Sequence, residues 1–280
     1  MAEARIVLAA TPIGNSRDAS ARLVELLATA DVIAAEDTRK VRDLARRLGV
    51  AMQAELISHH EHNERDRVDA LLDSAEAGKL VVVVSDAGMP TVSDPGFPLV
   101  AEAARRGVAL TVAPGPSAVL TALALSGLPT DRFTFEGFLP RKEGDRRKLL
   151  AALADEARTM VFFESPHRID KSLADMAAAF GADRAAAVCR ELTKTYEEVL
   201  RGEIGALVKD VGTPRGEYVI VVSGATREQT VDLEQLARRV LDLVADGVRL
   251  KEAASAVAEA AGAAKRDVYE AALAARGGSR

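Results

Sequence analysis

Through residues 1–113, short β-branched runs alternate with longer amphipathic stretches, and this alternation constrains the fold more than any other feature of the chain. Residues 5–10, 32–35, 55–58, 80–85 and 109–113 read as strands. Between them Val24 and Leu27, Leu44 and Leu48, and Val68, Leu71 and Leu72 recur at helical spacing, which predicts helices over 18–29, 38–48 and 62–77. Alternation of this kind implies an α/β fold with a mostly parallel sheet covered by helices. Ligands gather at the C-terminal ends of the strands in such sheets, so the loops that follow the strands are where chemistry is to be sought.

After Ser126-Gly127-Leu128-Pro129 the pattern changes. Residues 132–138 alternate like a half-buried strand, and the apolar runs 159–163, 185–188 and 218–222 follow with helices between them. Past Gly224 three amphipathic helical segments remain, about 232–246, 249–261 and 265–275, with Gly247 and Gly262 at the joints. The expected domains are therefore 1–118 and 119–226, both α/β, and 227–280, a small helix-turn-helix-like module. That module carries eight basic and eight acidic residues from position 231 onward, so it serves either nucleic-acid binding or packing and dimer stabilisation. With 37 Lys+Arg against 42 Asp+Glu the net charge is −5, and any polyanion must be met by a local patch. The single Cys189 excludes a disulfide framework and a cysteine zinc site, and suits a reducing cytoplasm. No apolar run approaches the length of a membrane span and the N-terminus lacks a signal-peptide core, so a soluble cytoplasmic protein is expected.

Three loops stand out. The first strand runs into Thr11-Pro12-Ile13-Gly14-Asn15, where Gly allows close backbone approach and Pro presets a dihedral. The fourth ends in residues 85–96, with two Asp, two Gly and two Pro. Turn-making into the helix expected over 97–106 accounts for Asp94 but leaves Asp86 unexplained. The fifth meets Ala113-Pro114-Gly115-Pro116-Ser117-Ala118. Neither G-x-G-x-x-G nor G-x-x-x-x-G-K-[ST] occurs, so a nucleotide-like ligand is held in some other way.

Six motifs, Thr11-Pro-Ile-Gly-Asn, Ala35-Glu-Asp-Thr-Arg39, His60-Glu-His-Asn-Glu64, Ser85-Asp-Ala-Gly with Ser93-Asp-Pro-Gly96, Ala113-Pro-Gly-Pro-Ser117 and Phe163-Glu-Ser-Pro-His-Arg168, occur in one order and spacing. In this the chain resembles the bacterial 16S rRNA cytidine 2′-O-methyltransferases, part of the tetrapyrrole (precorrin/uroporphyrinogen) methylase superfamily. The resemblance covers essentially the whole chain. It departs at Ser16, where the pattern usually has Leu, and at Met89, where it usually has Thr. It implies two α/β domains, a homodimer, and S-adenosylmethionine surrounded by Pro12, Gly14, Ser85, Asp86, Ala87, Gly88, Ser117, Ala118, Phe163 and Leu192. It also implies methylation of a cytidine ribose in the decoding region of 16S rRNA, on the small ribosomal subunit. Two other readings keep the fold: a methyltransferase for a tetrapyrrole or other small molecule, and a ribosome-associated binding protein without catalysis.

Displacement of a methyl group from a sulfonium needs no metal, but a group must take the hydroxyl proton. His60, Glu61 and Glu36 are the candidate bases. A metal centre in His59-His60-Glu61-His62 is not expected, because adjacent side chains point to different faces and no second cluster completes a shell. Capping by Asn63 and by Glu36-Asp37-Thr38 is the plainer account of part of these motifs. RNA requires cations, and residues 39–47 hold five basic residues with one acid, residues 141–148 five with two. Arg39, Lys142, Arg146, Arg147 and Arg168 are the expected RNA contacts, with Phe138 placed to stack on a base.

Overall fold

A computed structural model describes residues 5–60, 62–212, 215–225 and 233–277. Strands β1 (Ile6–Ala9), β2 (Val32–Ala35), β3 (Glu55–Ser58), β4 (Val81–Val84) and β5 (Leu110–Ala113) form a sheet in the order β3-β2-β4-β1-β5, with every pairing parallel. Helices α1 (Ala21–Thr29), α2 (Thr38–Leu48), α3 (Glu64–Glu76) and α4 (Phe97–Arg106) connect them. The two-residue period of a strand divides the core. Val7, Ala9, Ile33, Ala35, Val82 and Val84 meet Leu23, Leu27, Val41 and Leu44 of α1 and α2. Ile6, Leu8, Val32, Ala34, Val81 and Val83 meet Val68, Leu71, Leu72 and Leu99 of α3 and α4. Strand β4 is four valines because both faces are covered, and each buried valine contributes about 1.5–3 kcal/mol.

The chain leaves β1 across one face and β4 across the other, and these strands are neighbours. Right-handed crossovers in opposite directions open a crevice at the ends of those two strands.

Helix α5 (Ala118–Ser126) leads to a second sheet of β6 (Phe133–Phe138), β7 (Thr159–Glu164), β8 (Ala185–Arg190), β9 (Glu198–Glu203) and β10 (Tyr218–Val222). Its order is β6-β7-β10-β8-β9, parallel between β6 and β7 and antiparallel elsewhere. One face packs on α6 (Glu143–Ala152), α7 (Ile169–Phe180) and α8 (Ile204–Asp210) through Leu150, Leu173 and Leu207. The other packs on Val119, Ala122 and Leu123 of α5, and there Ile13, from the loop after β1, enters the same core. Residues 1–225 cluster as one unit and residues 226–280 as another. The second unit holds α9 (Leu233–Ala245), α10 (Leu250–Ala261) and α11 (Lys265–Gly277) around Leu236, Val240, Val257 and Val268. Among the described residues no helix is long and apolar enough to cross a membrane.

Candidate active site

At the crevice the loops after β1 and β4 are joined. The Thr11 N–H donates to the Gly88 carbonyl at 2.9 Å and the Gly88 N–H to the Thr11 carbonyl at 3.0 Å. The Thr11 hydroxyl donates to the Ser85 carbonyl at 3.2 Å and the Ser85 hydroxyl to the Gly88 carbonyl at 3.1 Å. Gly88 holds φ +86°, so a side chain there would be strained. Gly14 is the complementary case. A Cβ at that position would lie 2.5 Å from Lys194 Cγ and 2.7 Å from Thr193 Oγ1, so only glycine lets the first loop close on residues 192–194. The Asn15 N–H donates to Thr193 Oγ1 at 3.1 Å across the same contact.

These loops border a cavity of about 320 Å³, within the range of small-molecule sites. One wall is Ile13 with Ala87, Gly88, Met89, Val92 and Asp94. The opposite wall is Phe138, residues 163–166 and residues 217–219. Ser117, Ala118 and Val119 close one end, so the first turn of α5 presents backbone N–H groups that have no intrahelical partner. Phe163 meets Phe135 and Phe138 edge-on, at 4.9 and 5.5 Å between ring centroids, while Phe138 remains 55% exposed.

The loop from β4 to α4 is strained and pinned. Thr91 and Ser93 adopt φ of 74° and 61°, and Glu64 Oε2 accepts the Gly96 N–H at 2.8 Å. Non-glycine residues in this conformation persist only where the surroundings over-determine them.

Carboxylates around the crevice are mostly committed. Asp37 caps α2, accepts from Arg39 and is held down at about 2 by those hydrogen bonds. Asp86 accepts the Asp37 N–H at 3.0 Å and pairs with Lys40 at 2.7 Å. Glu164, 2% exposed, accepts from the Ser172 hydroxyl at 2.6 Å and pairs with Arg168 at 2.7 Å. Glu217 pairs with Lys194 at 3.0 Å. Asp94 is different. It lines the cavity with no hydrogen-bond or ion-pair partner among the described residues. Burial first, and then the nearby charges of Glu36 and Asp86, push its carboxyl up to about 7, with Lys40 opposing. Glu36 is raised in the same direction, by burial and then by Asp86.

Residues 5–208 match the family profile described as Tetrapyrrole (Corrin/Porphyrin) Methylases, and residues 231–276 that of the RsmI C-terminal HTH domain. The chain is 49% identical to the Ribosomal RNA small subunit methyltransferase I of Mycobacterium tuberculosis (strain ATCC 25618 / H37Rv), over 99% of this chain and 97% of that protein. It is 41% identical to the protein of the same name from Pseudomonas aeruginosa PAO1, over the whole of both chains. The chain belongs to the ribosomal RNA small subunit methyltransferase I family, among the tetrapyrrole methylases. The fold agrees. The methyltransferase CobJ superposes with a TM-score of 0.59 at 22% identity, over 80% of this chain and 95% of that one.

Of the residues that the family resemblance assigned to the cofactor, Ala87, Gly88, Ser117, Ala118 and Phe163 line the cavity directly. Pro12, Ser85 and Asp86 border an adjoining recess under α2, and Leu192 is buried against the core that contains Ile13. His60 and Glu36 share a third recess with Ser58 and Asp86, outside the cavity walls. Glu61 lies outside the described residues. His59 is buried, and the His60 and His62 rings meet edge-on at 6.0 Å. Asn63 stands at the start of α3 without capping it. Its side chain instead accepts the His60 N–H at 2.8 Å and donates to the Ser58 carbonyl at 3.1 Å, clasping the turn between β3 and α3.

The basic segments require one correction. Arg146, expected on an RNA-binding surface, is 4% exposed and bonded to Asp175 at 2.6 Å, so it cannot reach a phosphate. It falls one helical turn before the buried Leu150, on the inner face of α6. Arg147 is exposed but shared between Asp175 and Glu143, and Arg39 is exposed and paired with Asp37. Arg168 is part-buried, donating to the Leu139 carbonyl at 3.0 Å as well as pairing with Glu164. Lys142, at the start of α6, is exposed, and its side chain has no partner among the described residues.

Asp94 and Glu64 are what sequence reasoning undervalued. Both stand in quoted motifs, but the first reads as part of a turn and the second as the last residue of the histidine-rich motif. A second Asp eight residues after Asp86, in a loop far longer than a turn requires, is the signal that marks Asp94.

Proposed function

We propose that this chain transfers the methyl group of S-adenosylmethionine to the ribose 2′-oxygen of a cytidine in the decoding region of 16S rRNA, on the small ribosomal subunit, as a cytoplasmic homodimer. The observation that carries the reading is full-length likeness, near half identity, to proteins named for that ribosomal RNA, joined to a cavity of suitable size at the switch point of the sheet.

The cavity fits such a cofactor in chemistry as well as size. Its walls are mostly apolar, and its polar groups are the 87–89 backbone, the first turn of α5 with Ser117, and the carboxylates of Asp94, Glu164 and Glu217. When bound, the cofactor supplies a methyl carbon on a sulfonium, whose departure as a neutral thioether needs neither acid nor metal. The chain's task is then to hold the ribose oxygen in line behind that carbon and to remove its proton. Gly14 lets the first loop close on residues 192–194 and so seats Ile13, which lines the cavity, while Pro12, Ser85 and Asp86 shape the turn that presents the 87–88 backbone. Phe138, which lines the cavity and is exposed, offers a stacking face for an unpaired base, and the exposed Lys142 at the start of α6 and Arg39 of α2 meet phosphate. Arg147 and Arg168 complete the set of contacts, each trading a carboxylate partner for phosphate.

The test is transfer of labelled methyl to purified unmodified 30S subunits, followed by nuclease mapping. Label on a single cytidine ribose is expected. Label on uroporphyrinogen instead, or none on RNA while S-adenosylmethionine still binds by calorimetry, overturns the substrate.

A further inference from the structure

We propose that Asp94 is the group that accepts the ribose 2′-hydroxyl proton, the carboxylate of the β4–α4 loop acting as general base from the cavity wall. The inference rests on the reading of the site as a ribose methyltransferase.

Elimination carries it first. Among the carboxylates that border the crevice, Asp37, Asp86, Glu164 and Glu217 each hold a cation, and Glu64 holds the Gly96 N–H. Glu36 and His60 face a separate recess. Asp94 alone of these both lines the cavity and keeps its oxygens free of any described donor. A carboxylate saturated by Arg or Lys is a poor base, because its lone pairs are spent and its proton affinity is lowered.

The second support is placement. Asp94 follows Ser93, whose φ of 61° is a conformation a non-glycine residue seldom keeps, and lies two residues before the Gly96 N–H that Glu64 clamps. A loop held this way fixes its carboxylate against a reacting atom rather than leaving it to sample solvent. Gly137, opposite, brings the β6 bulge close, since a Cβ there would stand 3.7 Å from Ser93 Oγ. The exposed Phe138 is the next residue, so a base stacked on that ring would deliver its own ribose to the same rim.

The electrostatic surroundings are consistent. Burial first, and then Glu36 from the end of β2 and Asp86 from the end of β4, raise the proton affinity of Asp94, and Lys40 of α2 lowers it; of the other carboxylates that line the cavity, Glu164 is paired with Arg168 and Glu217 with a Lys194 that it shares with Glu191. As the ribose oxygen bonds to the methyl carbon, the carbon–sulfur bond breaks with its electron pair to sulfur. The hydroxyl proton passes to the Asp94 carboxylate and from there to water.

The experiment compares wild type, Asp94→Asn and Asp94→Glu in single-turnover methylation of 30S subunits from pH 5.5 to 9, with cofactor affinity measured by calorimetry on each. Wild type is expected to gain rate with pH up to a plateau above about 7. Asp94→Asn is expected to lose about a hundredfold or more in rate at saturating cofactor and to lose that pH limb, with cofactor affinity within a few fold of wild type. Asp94→Glu should regain part of the rate and the limb. An undiminished Asp94→Asn rate, or a loss confined to cofactor affinity, overturns the inference while the methyltransferase reading stands. Should Asp94→Asn fail to fold, a wild-type profile without a limb overturns it equally. No transfer by wild type, with cofactor binding intact, overturns the substrate reading and this inference together.

Discussion

Two arginines one position apart, Arg146 and Arg147, read alike in the sequence and differ entirely in role. Arg146 lies with Asp175 in the interior, 5% and 7% exposed in their side chains. Burial alone would raise the Asp175 carboxyl, but hydrogen bonds from Arg147 and Arg146 outweigh it and hold the group below its ordinary range. Arg146→Ala would leave a buried carboxylate with only an exposed partner, and a loss of about 3–5 kcal/mol in urea unfolding is expected. Gly14→Ala should be costly for a different reason. The added methyl meets Lys194 and Thr193, and overpacking of this kind costs about 1–3 kcal/mol, to be read as a lowered melting temperature with weaker cofactor binding. Asp94 also links to stability. Its carboxyl is higher in the folded chain than its ordinary 3.8, so its contribution is fully present below about pH 4 and is lost as pH rises through about 7. Thermal unfolding across that window should fall more steeply for wild type than for Asp94→Asn, which is expected to be no less stable than wild type at pH 8.

At the scale of elements, every strand but β9 was legible, including the half-buried β6. Strand β4 is unmistakable as four valines, whereas β9 carries Glu198, Arg201 and Glu203 among six residues. Such charge is what an edge strand uses to discourage further pairing, and it erases the hydrophobic pattern by which strands are recognised. The motif of residues 60–64 was legible as important but not in its role. Its Glu64 spans from the start of α3 to the start of α4 and pins a strained loop. Removing that bond in Glu64→Ala should release the loop locally. Amide exchange at Gly96 is expected to speed by about tenfold to a hundredfold, matching a charge-assisted hydrogen bond of about 1.5–3 kcal/mol, while exchange in β4 is unchanged.

At the scale of the whole molecule, the 226–280 unit has its own core of Leu236, Val240, Val257 and Val268. A chain ending at Ala225 is therefore expected to fold and to bind S-adenosylmethionine with unchanged affinity by calorimetry; loss of folding would show that the first unit depends on the second. With a net charge of −5, attraction to RNA must come from a few cations. Lys142→Ala should accordingly weaken binding to 30S subunits and reduce its salt dependence by about one counterion, leaving cofactor affinity intact. By itself the sequence determined the alternation of strands and helices, the loops that bear the chemistry and the family, because periodicity and turn residues act over short separations along the chain. Only the tertiary structure decided which arginine is interior, which carboxylate remains free and which loop is clamped. Burial and charge pairing depend on residues brought together from distant positions, such as Asp94 with Glu36 or Gly14 with Lys194, and no local pattern encodes those distances.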